Sequence, residues 1–131
     1  MDPKQLGYFG EKIACYYLKN KGYKILDRNY SRKWLSGPQK GEIDIVAQKD
    51  NTISFIEVKT IAPALSAGAI VLPEDKVNFQ KQNQIKKIAQ DWLVEKKIPL
   101  ESKWQIDVIS IKVYLDEKIA KIRHLKNVIT E

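Results

Sequence analysis

Apolar and polar positions along this chain repeat with two periods, and each change of period marks an element. Near the start, Leu6, Phe9, Ile13 and Tyr17 recur at helical spacing, with Lys4, Tyr8, Lys12 and Lys19 on the wetter side. Asp2, Pro3 and Gln5 supply a cap, a first-turn proline and a capping-box partner, and Gly22 a stop, so a helix is predicted between Asp2 and Gly22. Tyr23 to Tyr30 alternates weakly and is predicted as a strand. Ser31 to Lys40 is a polar, basic loop containing Gly37-Pro38. Glu42 to Lys49 and Thr52 to Thr60 are rich in Ile, Val and Phe and flank Asp50-Asn51, two residues that tolerate positive φ in a hairpin turn. Ile61 to Glu74 is a loop. Asp75 can cap a second helix running to about Lys97, with Ile85, Ile88, Ala89, Trp92 and Leu93 as its inward stripe. Trp104 to Val113 is strand-like, and Lys118 to Leu125 is a further strand after a turn at Asp116-Glu117. The order α-β-β-β-α-β-β, without internal repeats, predicts a layered α/β or α+β domain. A chain of 131 residues suits one such domain.

A two-residue turn at Asp50-Asn51 has a sharp consequence. Lys49 then faces Thr52, and counting back along both strands sets Asp44 opposite Glu57 and Glu42 opposite Lys59. Strand side chains alternate, so all four share one face. Directly opposite residues have Cβ atoms roughly 4.5–5.5 Å apart, a separation at which two carboxylates repel. A cation between them relieves that repulsion, and Mg²⁺ or Mn²⁺ suits carboxylate oxygens with no histidine nearby. Lys59 stands within reach of a bound phosphate or water, where its ammonium can orient the water or stabilise charge on phosphoryl oxygens. This layout suits metal-assisted phosphodiester hydrolysis. A plainer alternative makes Glu42–Lys59 a surface ion pair and leaves Asp44 and Glu57 solvated. Val46 and Phe55 tilt the balance: they make the acidic face partly apolar, so its carboxylates lie at the rim of a covered surface, where charges need partners.

Glu11 is the next acid of interest. It shares a helical line with Gly7, Ala14, Cys15 and Leu18, and the small residues Gly7, Gly10 and Ala14 allow that line to approach a sheet closely. Glu11 there completes the acidic cluster; otherwise it is a surface Glu beside Lys12. Arg28, Arg32, Lys33 and Lys40 lie in or beside the loop leading to the hairpin, with Trp34 among them. Cations hold phosphates and an aromatic ring stacks on an unpaired base, whereas the plainer reading tucks Trp34 into the core. Lys81 and Gln82 extend the second helix's inward stripe towards its N-terminal end and can point at the site. Asp107, in an apolar strand, needs a backbone or basic partner, and Trp92 and Trp104 are expected in the core.

Composition narrows the chemistry. Lys and Arg number 23 against 16 Asp and Glu, a net charge of +7 that favours a polyanionic partner, nucleic acid above all. One cysteine, Cys15, cannot form an intrachain disulfide, and one histidine, His124, falls short of a structural zinc site or a convincing triad. The start of the chain does not read as a signal peptide, and the low-charge stretch Ile61 to Pro73 is too short and broken to cross a bilayer. The expectation is a cytoplasmic protein with no membrane association.

Three motifs in order carry a family resemblance: Gly7-x-x-Gly10-Glu11-x-x-Ala14, then Gly41-Glu42-Ile43-Asp44, then Glu57-Val58-Lys59. They resemble the YraN family of small nuclease-like proteins, and the likeness continues through Ala89 to Leu93, Ile106-Asp107-Val108 and His124-Leu125-Lys126-Asn127. Members of that family look like the PD-(D/E)XK phosphodiesterase superfamily and are similar in fold to archaeal Holliday-junction resolvases. The resemblance implies a restriction-endonuclease-like fold, a mixed sheet flanked by helices. It implies Asp44 and Glu57 as metal ligands, Lys59 as the catalytic lysine and Glu11 as an accessory acid. DNA, in branched or single-stranded form, is the implied substrate, and a homodimer is natural for a junction-cutting enzyme. Ile61 and Gln105 stand where the family usually has arginine. Besides the endonuclease, two readings stay open. One is a non-catalytic nucleic-acid-binding module that keeps the fold. The other is a protein-interaction adaptor using Ile61 to Pro73.

Overall fold

The computed structural model describes residues 1–37, 40–63 and 79–128. Helix α1 (Pro3–Asn20) starts as its sequence dictates: Asp2 Oδ1 accepts the Gln5 N–H at 2.8 Å and Gln5 Oε1 accepts the Asp2 N–H at 3.0 Å. At its other end Gly22 takes φ 92°, which lets the Tyr23 N–H reach Leu18 O at 2.9 Å and the Gly22 N–H reach Lys19 O at 3.1 Å. Strands β1 (Lys24–Tyr30), β2 (Ile43–Lys49) and β3 (Thr52–Ile61) follow, then helix α2 (Phe79–Glu95) and strands β4 (Trp104–Tyr114) and β5 (Ile119–Leu125). Helix α2 ends two residues before its predicted limit because Lys97 takes φ 57° and the Ile98 N–H turns back to Leu93 O. The predicted cap at Asp75 lies outside the described residues.

The five strands form one mixed sheet in the order β1-β2-β3-β4-β5. All neighbours are antiparallel except β3 and β4, which are parallel and have α2 between them in the chain. The helices cover opposite faces, as the resemblance implies. On one face Ile85, Ile88, Ala89, Trp92 and Leu93 of α2 pack on Ile43, Val46, Ile53, Phe55 and Ile106. Phe55 meets Trp92 and Trp104 edge to face. On the other face Ala14, Cys15 and Leu18 of α1 pack on Ile45, Ala47, Ile56, Ile109 and Ile111. Cys15 is buried, and burial pushes its thiol pKa up, which makes it an inert core residue. Among the described residues no helix is long and apolar enough to cross a membrane.

Of the two lines read along α1, the small-residue line that carries Glu11 is the buried one. Gly10, Ala14, Cys15 and Leu18 face the sheet, whereas Phe9 is 38% exposed and Leu6, Ile13 and Tyr17 are half-buried. The reason is steric. A Cβ on Gly10 would sit 2.8 Å from the Cβ of Thr60 and run into its hydroxyl, so only the small-residue line fits against β3. Gly10→Ala is expected to cost about 1–3 kcal/mol of stability, because Thr60 meets the new methyl close to its own backbone. Gly7→Ala, with nothing within 4 Å, should instead gain up to about 1 kcal/mol of helix propensity. Urea denaturation of the two variants checks this; equal stabilities would show that Gly10 is not a packing constraint.

One polar network is sealed inside. Asp107 on β4 is fully buried; its Oδ1 accepts the Asn127 N–H and the Gln105 side-chain amide, each at 2.9 Å. Its Oδ2 lies 2.8 Å from His124 Nε2 on β5, and His124 Nδ1 lies 3.1 Å from the Tyr17 hydroxyl on α1. Asp107 thus has both the backbone and the basic partner expected of it. Gln105 is one of its donors.

Candidate functional site

The hairpin has the predicted register. Lys49 pairs with Thr52 and Ile45 with Ile56 across a turn in which Asp50 takes φ 55°. The recorded β2–β3 pairs end at Ile45–Ile56, and beyond them a side chain takes over from the ladder: Asp44 Oδ2 accepts the Val58 N–H at 2.7 Å. On its other edge β3 stays paired with β4, Glu57 beside Val108 and Lys59 beside Ser110, which anchors both candidate side chains. Glu57 and Lys59 follow Ile53 and Phe55 at period two, on the side covered by α2. Glu57 is 7% exposed; its Oε1 lies 2.9 Å from Lys59 Nζ and 3.6 Å from Lys81 Nζ of α2.

Three carboxylates meet where the two strands part. Glu11 from α1, Glu42 just ahead of β2 and Asp44 within β2 each offer an oxygen, and these oxygens all lie within 4.8 Å of one another. Glu11 is largely shielded by the sheet, as its helical line predicts, with Arg28 Nη2 at 3.9 Å. Asp44 is half-buried. Burial, and then the Glu57 carboxylate, push its pKa up to about 8 against the pull of the Val58 N–H; Glu11 and Glu42 add to the rise. The donors are all carboxylate oxygens, the chemistry of a hard divalent cation. Oxygens on opposite sides of such an ion stand about 4–5 Å apart at bond lengths of roughly 2.1–2.5 Å, so the observed spacing fits one ion among the three.

The remaining sequence candidates divide. Lys33, Trp34 and Lys40 are exposed in the segment ahead of β2, Trp34 at 67%, so it is not tucked into the core. Arg28 is exposed beside Glu11. Arg32 turns inward, its Nη1 3.5 Å from Asp91 of α2, which ties it to the fold rather than to the surface. Lys81 reaches Glu57, as its place on the stripe predicts, and Gln82 beside it is half-buried. The Glu42–Lys59 ion pair of the plainer reading is replaced: Glu42 accepts from Asn29 at 2.9 Å and Lys59 turns to Glu57. The regular register that would set those two opposite each other stops short of them. Glu57 lies outside the three-carboxylate group, with its Oε1 held by two lysines, but close enough to raise the pKa of Asp44.

Sequence reasoning missed two residues. It left Glu42 out of the acidic set, although Glu42 stands two positions from Asp44. It gave Asn29 no role, although an asparagine inside a strand is itself a signal of special backbone or side-chain duty.

A five-stranded mixed sheet between two helices, with acids from α1 and β2 and a Glu-Val-Lys run on β3, defines the class of protein to which this chain is related. The sequence profile of the uncharacterised protein family UPF0102 matches residues 10–111, and the chain belongs to that family. It is 43% identical over 124 residues to a UPF0102 protein of Alkaliphilus oremlandii (strain OhILAs), covering 95% of this chain and 97% of that one. A UPF0102 protein of Clostridium botulinum (strain 657 / Type Ba4) is 40% identical over 124 residues, with 95% and 93% covered. One from Desulforamulus reducens is 35% identical over 125 residues, with 95% and 94% covered.

Proposed function

We propose that this protein is a divalent-metal-dependent endonuclease that hydrolyses phosphodiester bonds of DNA. The observation that carries the proposal is the convergence of Glu11, Glu42 and Asp44 beside the Glu57–Lys59 pair. A divalent cation held by those carboxylates would supply Lewis-acid stabilisation of a phosphoryl oxygen. The chain's own residues do the rest. Glu11, Glu42 and Asp44 would hold that cation, each through a carboxylate oxygen. Glu57 orients the Lys59 ammonium, which can donate to a developing negative charge or steer a water. Exposed Lys33 and Lys40, with Trp34 between them, offer phosphate contacts and a stacking surface, and the net charge of +7 favours a polyanion.

One observation favours a second reading, a nucleic-acid-binding module without turnover: the Glu57 carboxylate is already neutralised by two ammonium groups. Incubating the purified protein with labelled duplex, single-stranded and four-way-junction DNA separates the two. The endonuclease reading expects cleavage of at least one form with Mg²⁺ or Mn²⁺ and none with chelator. Salt-sensitive binding of all three forms with no cleavage in either metal would leave the binding module. The adaptor reading rests on residues 61–73, of which 64–73 lie outside the described residues.

A further inference from the structure

Asn29 lies in β1 between Arg28, which pairs with Ile45, and Tyr30, which pairs with Ile43. Its backbone takes φ 51°, a region in which asparagine is several-fold enriched and most other residues are strained. That turn of the backbone delivers its side-chain amide to the acids. Nδ2 lies 2.9 Å from Glu11 Oε1 and 2.9 Å from Glu42 Oε1. A primary amide has two N–H donors, so both are committed, one to each carboxylate.

The two carboxylates reach the amide from different elements. Glu11 rides on a helix lying against one face of the sheet, and Glu42 precedes β2. Like charges drawn from separate elements drift apart unless something holds them. Arg28, 3.9 Å from Glu11, touches only one of the pair. The Asn29 amide touches both.

We infer that Asn29 is a positioning residue for the candidate metal centre, tying Glu11 to Glu42 at the spacing at which, with Asp44, they can share one divalent ion. The inference rests on the reading of those acids as a metal site. Groups that hydrogen-bond ligating carboxylates set their geometry, and losing one typically weakens metal binding about 10–100-fold.

The test is a calorimetric titration with MnCl₂ alone on the wild-type chain, Asn29→Gly and Asn29→Ser, with the folded state of each checked by circular dichroism. Glycine keeps the positive φ without the amide, and serine has one donor where two are needed. The expected result is Mn²⁺ binding 10–100-fold weaker in both variants at unchanged stoichiometry. A purely structural role moves the unfolding temperature but not the affinity of the folded protein, so equal affinity in wild type and variants overturns the inference. Failure of both variants to fold overturns it too, since Asn29 would then be a folding residue. A wild-type chain that takes up no Mn²⁺ at millimolar concentration removes the metal reading itself, which the wild-type titration reveals without the variants.

Discussion

Asp44→Asn is expected to abolish Mn²⁺ binding and, at the same time, to make the metal-free protein more stable in alkaline solution. Asp44 carries a pKa of about 8 in place of the ordinary 3.8, through burial first and the Glu57 carboxylate second. Because the folded value lies above the unfolded one, the folded protein retains a proton that the unfolded chain has released between those two pH values. The stability this contributes is complete below pH 3.8 and is lost as pH rises through about 8. Above that, a charged Asp44 sits among Glu11, Glu42 and Glu57. Asparagine keeps the shape and an oxygen for the Val58 N–H but has no charge to lose. The loss accumulates across the whole interval between 3.8 and about 8, so the advantage of Asp44→Asn is already present at pH 6 and should grow by a further ~1 kcal/mol or more, roughly 3–5 °C in Tm for a domain of this size, on going to pH 9. Mn²⁺ at 100 times its Kd should stabilise the wild type by about 2.7 kcal/mol and the variant hardly at all. If DNA cleavage is found, both Asp44→Asn and Lys59→Ala should reduce it by about 10²-fold or more. Thermal melts at two pH values, with and without Mn²⁺, read the stability terms directly. A variant that still binds Mn²⁺ normally, or whose advantage is the same at pH 6 and pH 9, contradicts the electrostatic account of this acid.

The second large effect concerns the sealed network. Asp107→Ala should cost about 2–5 kcal/mol, because each buried donor left without its acceptor costs about 1–3 kcal/mol. Alanine leaves the Asn127 N–H and the His124 ring, 5% exposed, without their acceptor. Asp107→Asn should cost less than half as much. Its oxygen can still accept from Asn127 and Gln105, while its amide donates to His124 Nε2 once the ring proton moves to Nδ1 and points at the Tyr17 oxygen. Urea denaturation of the two variants provides the comparison. An alanine variant within about 1 kcal/mol of wild type would mean that water or a shifted side chain replaces the lost carboxylate.

Much of this molecule was legible in its sequence because the signals are local. Asp2, Pro3 and Gln5 sit within one helical turn, and the capping box formed as written. The stripe from Ile85 to Leu93 is buried throughout. Turn length alone fixed the hairpin register, because a strand's period of two leaves no freedom once Lys49 meets Thr52. The misses depended on distant partners. Two lines on α1 could be read from the sequence, one through Phe9 and one through Gly10, and only the space left by Thr60 decided for the second. Arg32 read as a loop cation until Asp91, remote in sequence, turned it inward. Counting back from the turn set Glu42 opposite Lys59, and nothing near Glu42 announces that regular pairing ends before it. Asn29 required both a positive φ and acids from two other elements, a conjunction that spacing does not encode.

The bond from the Val58 N–H to Asp44 has a mechanical consequence. The Val58 N–H belongs to the peptide unit that joins Glu57 to Val58, so the backbone just after Glu57 and just before Lys59 hangs directly from the carboxylate across the gap. Asp44 and the Glu57–Lys59 pair are thereby joined by one main-chain hydrogen bond at the point where the regular ladder between their strands ends.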